Sequence, residues 1–388
     1  MGEWIGRGRK ARRAYGFDEV AIVPGQVTID PEETDISWTL GGRRIETPIV
    51  AAAMDGVVSP AFAVEFSKYG GLAILNLEGV WTRYDDPSEI LLEIASASTE
   101  RATELVQKLY EPPIREELVG RRIEAIKGAG ARAIVSSIPQ RATRFGALAR
   151  EAGVDFFVVQ STVSTARHEA SAYQALDIAA FVRAMGDVPV LVGNCVTYET
   201  TLELMSTGVA AVIIGIGPGA ACTTRGVLGV GVPQVTATVD AAAARNHWHN
   251  RTGRYVPIIT DGGMSVGGDI CKALASGADA VIVGSAFAKA KEAPGRGFHW
   301  GMATPHHNLP RGTRVRVGTT GSLQNILVGP AHMDDGSQNL VGAIKTCLGY
   351  TGARTVREFH MAEMVIAPAI KSEGKMFQQT QHIGMHAK

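Results

Sequence analysis

Cysteine is scarce in this chain: four residues in 388 (Cys195, Cys222, Cys271 and Cys347), with no C-x-x-C spacing. That excludes a disulfide framework and leaves a reducing, cytoplasmic setting as the expectation. Net charge is missing as well. Lys plus Arg total 38 and Asp plus Glu total 38, a balance that argues against a dedicated nucleic-acid binder. One basic run, RGRKARR from Arg7 to Arg13, reads as a solvated arm or a subunit contact. No apolar signal core opens the sequence, and the longest uncharged run, Leu204 to Thr224, is broken by Pro218 and several glycines. A membrane partner is therefore not expected. His247/His249 and His306-His307 lack Cys or acidic partners in a ligand pattern, so no side-chain metal site is predicted. The most pointed absence is local. From Leu204 to Val239 there is no Asp, Glu, Lys or His, and Arg225 is the only charged residue.

What is present is a series of short, apolar, β-branched runs separated by helix-length segments. Eight are legible: PIVAAAM from Pro48, GLAILN from Gly71, ARAIVSS from Ala131, DFFVVQS from Asp155, VPVLVGN from Val188, AAVIIGIG from Ala210, YVPIITDGG from Tyr255 and ADAVIVGS from Ala278. Runs that are apolar on both faces suit strands of a covered parallel sheet. Eight βα units predict an α/β fold, a (β/α)8 TIM barrel, as one catalytic domain over residues 1–370 with a basic N-terminal arm. Residues 371–388 read as a tail. A doubly wound sheet is the alternative, but no G-x-G-x-x-G follows the first strand.

In such a barrel the site lies on the loops at the strands' C-terminal ends. Those ends carry Met54-Asp55, Gly193-Asn194, the Cys222 loop, Asp261-Gly262-Gly263 and Gly284-Ser285. The last two sit where this barrel usually binds phosphate, because paired glycines let backbone N–H groups approach an anion. Asp261 cannot bind phosphate, but its carboxylate can accept hydrogen bonds from ribose hydroxyls. Cys195, Cys271 and Cys347 read as packing residues. Cys222, on a glycine-rich loop beside Thr223, Thr224 and Arg225, reads as a nucleophile.

The loop GIGPGAACTTR resembles the catalytic loop of the IMP dehydrogenase/GMP reductase family, G-x-G-P-G-S-x-C-x-T. AAAMD, GN, PIITDGG, VGS, GM and GYTGARTVREF follow in that family's order, over roughly residues 15 to 370. The resemblance implies that Cys222 adds to purine C2 and that hydride moves between C2 and a nicotinamide cofactor, NADPH or NAD. It makes Thr224 the hydroxyl that handles the C2 substituent, and Asp261 the ribose ligand. Gly262, Gly263, Gly284 and Ser285 would bind phosphate, while Met54, Gly219, His299, Gly301, Met302 and Ala303 would line the nucleotide. Gln160, Ser161 and Asn194 would face base or nicotinamide. Carbonyls of Gly217, Gly219 and Cys222 would hold a potassium ion. Purine nucleotides (GMP, IMP) are the implied partners, and a homotetramer the implied assembly.

The chain also departs from that pattern. Ala220 replaces a phosphate-binding serine, His299 a tyrosine, Gln160 a carboxylate and Arg311 a glutamate that partners the threonine. The span 77 to 130 is too short for the paired CBS domains of many dehydrogenases, which need roughly 100 residues or more. After Met302, ATPHHNLPRGTRVRV leaves no room for the dehydrogenase flap with its water-activating Arg-Tyr pair. These features predict a CBS-less GMP reductase, giving IMP and ammonia from GMP through a Cys-linked XMP thioimidate. IMP dehydrogenase is the alternative, and a nucleotide-binding regulator the third reading.

Overall fold

The computed structural model describes residues 2–301, 313–369 and 373–384. All eight expected runs are strands: β1 (Ile49–Ala51), β2 (Leu72–Asn76), β3 (Ile134–Ser137), β4 (Phe156–Gln160), β5 (Val190–Cys195), β6 (Ala211–Ile214), β7 (Ile258–Asp261) and β8 (Ala280–Val283). They pair in parallel in sequence order, and β8 closes on β1 through Val281↔Ile49. The chain is thus a (β/α)8 barrel.

Alternation along each strand divides the apolar residues between two cores. Val50, Ile74, Ile134, Phe156, Val158, Leu191, Ile213, Ile259 and Ile282 fill the barrel interior. Their neighbours Ile49, Leu75, Val135, Phe157, Val192, Val212 and Val281 pack outward against the helices. A hairpin of Trp38–Leu40 and Arg43–Ile45 contributes Trp38, Leu40 and Ile45 to the interior core. Gly41, at its tip, lies against Pro189, just before β5. The hairpin therefore plugs the N-terminal end, and the C-terminal end is left for the site.

Two connections are long. Between β2 and β3 lie two helices, Ser88–Ser96 and Thr99–Leu109, followed by the barrel helix Glu116–Gly128. Extended backbone at Ala97 and Ser98 separates the first two. Beyond β8 an antiparallel hairpin, Phe298–Trp300 with Arg314–Arg316, stands beside the mouth. The basic arm is an exposed two-stranded ribbon, Glu3–Gly6 with Arg9–Ala11, tied down by Arg12 to Asp240. No helix among the described residues is long and apolar enough to cross a membrane.

Candidate active site

Cys222 is exposed on the β6 loop, and its thiol donates to Thr224 Oγ1 at 3.2 Å. The loop's shape comes from backbone bonds and one side chain. Cys222 N–H donates to Gly219 O at 3.0 Å. Arg225 reaches back across the loop's neck, with Nε donating to Ile216 O (3.0 Å) and a terminal nitrogen to Val232 O (2.7 Å). The lone charge of this stretch is thus a clamp on the loop that carries the thiol. Burial lowers its pKa, and interaction with Cys222 raises it again.

The ends of β4, β5 and β7 converge on Asp261. Its Oδ2 accepts Asn194 Nδ2 at 2.8 Å and Gln160 Nε2 at 3.2 Å, and Gln160 Nε2 also donates to Asn194 Oδ1. Loss of hydration raises the Asp261 pKa to about 6, although both amide donors pull it down. Gln160 therefore serves the Asp261 carboxylate, a role the sequence did not suggest. The Ser161 hydroxyl donates to Val163 O at 2.8 Å, within its own loop.

Gly262 and Gly263 both have left-handed backbone (φ 81° and 80°). A Cβ at Gly262 would lie 3.2 Å from Gly219 N and Pro218 Cγ, so the paired glycines let the β7 loop press against the cysteine loop. The Gly262 N–H donates to Ile282 O, so this glycine contributes shape rather than an anion donor. Gly284 adjoins Met54, whose Sδ would be 2.9 Å from a Cβ there. Ser285 opens the short helix Ser285–Ala288, and its Oγ lies 3.0 Å from His299 Nε2. His299 is 1% exposed, and burial lowers its pKa to about 4. Its Nε2 is engaged with Ser285. Gly301 is half-buried at the end of the hairpin's first strand; Met302, Ala303, His306, His307 and Arg311 lie outside the described residues.

One participant, Gln234, left no signal in the sequence. Gln234 is buried and donates to Asp261 O at 2.8 Å, tying the β7 end to the helix after the cysteine loop. Asp55 lies in the AAAMD motif, but its partners come from residues that no local pattern links to it. Among the described residues no group of three or more His, Cys, Asp or Glu could hold a metal. The carbonyls of Gly217, Gly219 and Cys222 remain the candidate for a monovalent cation. Gly219 O already accepts one hydrogen bond and keeps a second lone pair.

The (β/α)8 barrel thus carries an exposed thiol, a buried carboxylate and glycine-rich turns at the C-terminal ends of its strands. The family model described as IMP dehydrogenase / GMP reductase domain matches residues 14–376, and the chain belongs to this oxidoreductase family. It is similar to an uncharacterized oxidoreductase of Mycolicibacterium smegmatis, with 37% identity over 93% of this chain and 99% of the relative. It is also similar to inosine-5'-monophosphate dehydrogenase of Aquifex aeolicus, with 32% identity over 90% of this chain and 92% of that enzyme. A solved IMP dehydrogenase/GMP reductase-like protein from Corynebacterium glutamicum superposes with a TM-score of 0.88. Identity there is 34%, over 93% of this chain and 96% of the other.

Proposed function

We propose that this chain oxidises IMP to XMP, with Cys222 as covalent nucleophile. The observation that carries the chemistry is the Cys222–Thr224 pair, 3.2 Å apart. The Cys222 sulfur adds to purine C2, and C2 gives up its hydride, leaving a thioimidate on the enzyme. Water then adds at C2, the C–S bond breaks, XMP leaves and the thiol is restored. Thr224 Oγ1, beside the sulfur, orients that water. Asp261 holds the ribose, while Gly263, Gly284 and Ser285 face the phosphate. The carbonyl of the Gln160 amide, with Asn194 beside it, suits the carboxamide of a nicotinamide cofactor. That cofactor, when bound, supplies the hydride acceptor.

The direction follows from which proton carriers are at hand. Reductive deamination must protonate departing ammonia, a task for a carboxylic acid behind Thr224. Neither the stretch Leu204–Val239 nor the hairpin connection Gly301–Thr313 contains an Asp or Glu. Hydrolysis needs a base instead, typically worth about 10²–10⁴-fold. The connection offers His306 and His307, and a neutral imidazole can take the proton from water. The likeness to the Aquifex dehydrogenase supports the same direction. GMP reduction keeps one observation in its favour: the connection spans only Gly301 to Thr313 between paired strands, too short for a dehydrogenase flap.

Paired assays separate the two. IMP with NAD⁺ and potassium is expected to yield XMP and NADH catalytically, and GMP with NADPH to yield no ammonia. Ammonia and IMP from the second mixture alone would reverse the assignment. No turnover in either would remove both.

A further inference from the structure

Asp55, Tyr110 and Trp300 are far apart in sequence and meet under the rim of the mouth in one chain of hydrogen bonds. Trp300 Nε1 donates to the Tyr110 hydroxyl at 2.8 Å, and that hydroxyl donates to Asp55 Oδ2. The same carboxylate accepts Val80 N–H at 2.6 Å and Asn76 Nδ2 at 3.2 Å. Asp55 and Trp300 are each 1% exposed. The fit is tight: a Cβ at Gly79 would stand 1.9 Å from an Asp55 carboxylate oxygen. Val80, Leu91, Ile94 and Val106 close around Tyr110 and Trp300 as a small core apart from the barrel's.

The β2–β3 insertion grips the hairpin's second strand as well. The Arg314 guanidinium donates to the carbonyls of Ile94, Ala95 and Ala97 at the end of the first insertion helix, and lies over the Phe298 ring. Both ends of the hydrogen-bond chain adjoin the mouth. Asp55 follows Met54. Trp300 lies between His299, which holds Ser285, and Gly301.

A buried carboxylate is costly without donors, and apolar side chains alone would join insertion and hairpin at lower cost. A fully bonded polar network instead fixes one geometry. We propose that Tyr110 is a positioning residue for the nucleotide site, its hydroxyl setting the separation between the Met54 loop and the His299–Gly301 strand end. This inference rests on the mouth being a purine-nucleotide site.

The test is Tyr110→Phe, which keeps the ring and removes the bridge, with Trp300→Phe as a second variant. In each, amides of Phe298–Trp300 and Arg314–Arg316 are expected to exchange with deuterium about tenfold faster while β3 to β6 are unchanged. KM for IMP is expected to rise about tenfold with kcat within about twofold. The double variant should add little to either single one, because both break one chain. Unchanged hairpin exchange and unchanged KM, with only a lower melting temperature, would overturn the proposal. If the wild-type enzyme neither binds nor turns over IMP or GMP, the purine reading falls. The exchange measurement still decides whether Tyr110 positions the hairpin.

Discussion

Replacing Cys222 with alanine is expected to lower kcat by at least about 10⁴-fold while the nucleotide dissociation constant stays within about threefold. The separation follows from the architecture. The thiol sits on the β6 loop, whereas the groups proposed to meet ribose and phosphate stand at the ends of β7 and β8, which the substitution leaves intact. Titration calorimetry with IMP and a stopped assay for XMP measure the two halves independently. Appreciable turnover in Cys222→Ala would sink the covalent mechanism. Serine at Cys195 or Cys271, both buried, should lower stability without comparable loss of rate.

The second large effect belongs to Asp261. Asp261→Ala removes the carboxylate proposed to accept two ribose hydroxyls, at roughly 1.5–3 kcal/mol each, so nucleotide affinity is expected to fall about 10²- to 10⁴-fold. Its titration adds a sign that can be checked. Burial raises the Asp261 pKa from 3.8 to about 6, and only the ionised form accepts two ribose hydroxyls. Affinity should therefore climb as pH rises through about 6. Stability runs the other way. A folded-state pKa above the unfolded value means that the contribution of Asp261 to folding is complete below pH 3.8 and is lost as pH rises through about 6. Asp261→Asn should flatten both trends. The nucleotide phosphate titrates nearby, but equally in both proteins, so the difference between the two profiles isolates Asp261. Parallel profiles for wild type and variant would remove Asp261 from the ribose site.

The barrel was legible because each strand is buried on both faces. Runs such as AVIIG and ADAVIV therefore carry few polar interruptions, and their spacing by helix-length segments left few alternatives. The cysteine loop was legible through what it lacks. The Asp261 cluster was only half legible. Gln160 read as a cofactor contact because its position at the end of β4 was visible, while its bond to a carboxylate 101 residues away was not. His299 read as lining the nucleotide, while its burial and its contact with Ser285 were not visible. The Tyr110 bridge left no trace in local sequence, since it spans 55 residues to Asp55 and 190 to Trp300. Separations of that size are set by tertiary packing, which periodicity does not record.

The distribution of sulfur across the fold makes the protein its own active-site titrant. Burial pushes the Cys195 thiol up to about 12, and Cys271 is raised well above its usual value by its hydrogen bond to Cys347 and by burial. Cys222 is the exposed thiol, and the half-buried Cys347, its pKa lowered by its hydrogen bond with Cys271, is the competitor. In a Cys347→Ser background, iodoacetamide at a modest excess should therefore place one adduct per chain, at Cys222, with inactivation tracking labelling one for one and bound nucleotide slowing both. Intact mass then counts competent sites directly, before any substrate is turned over.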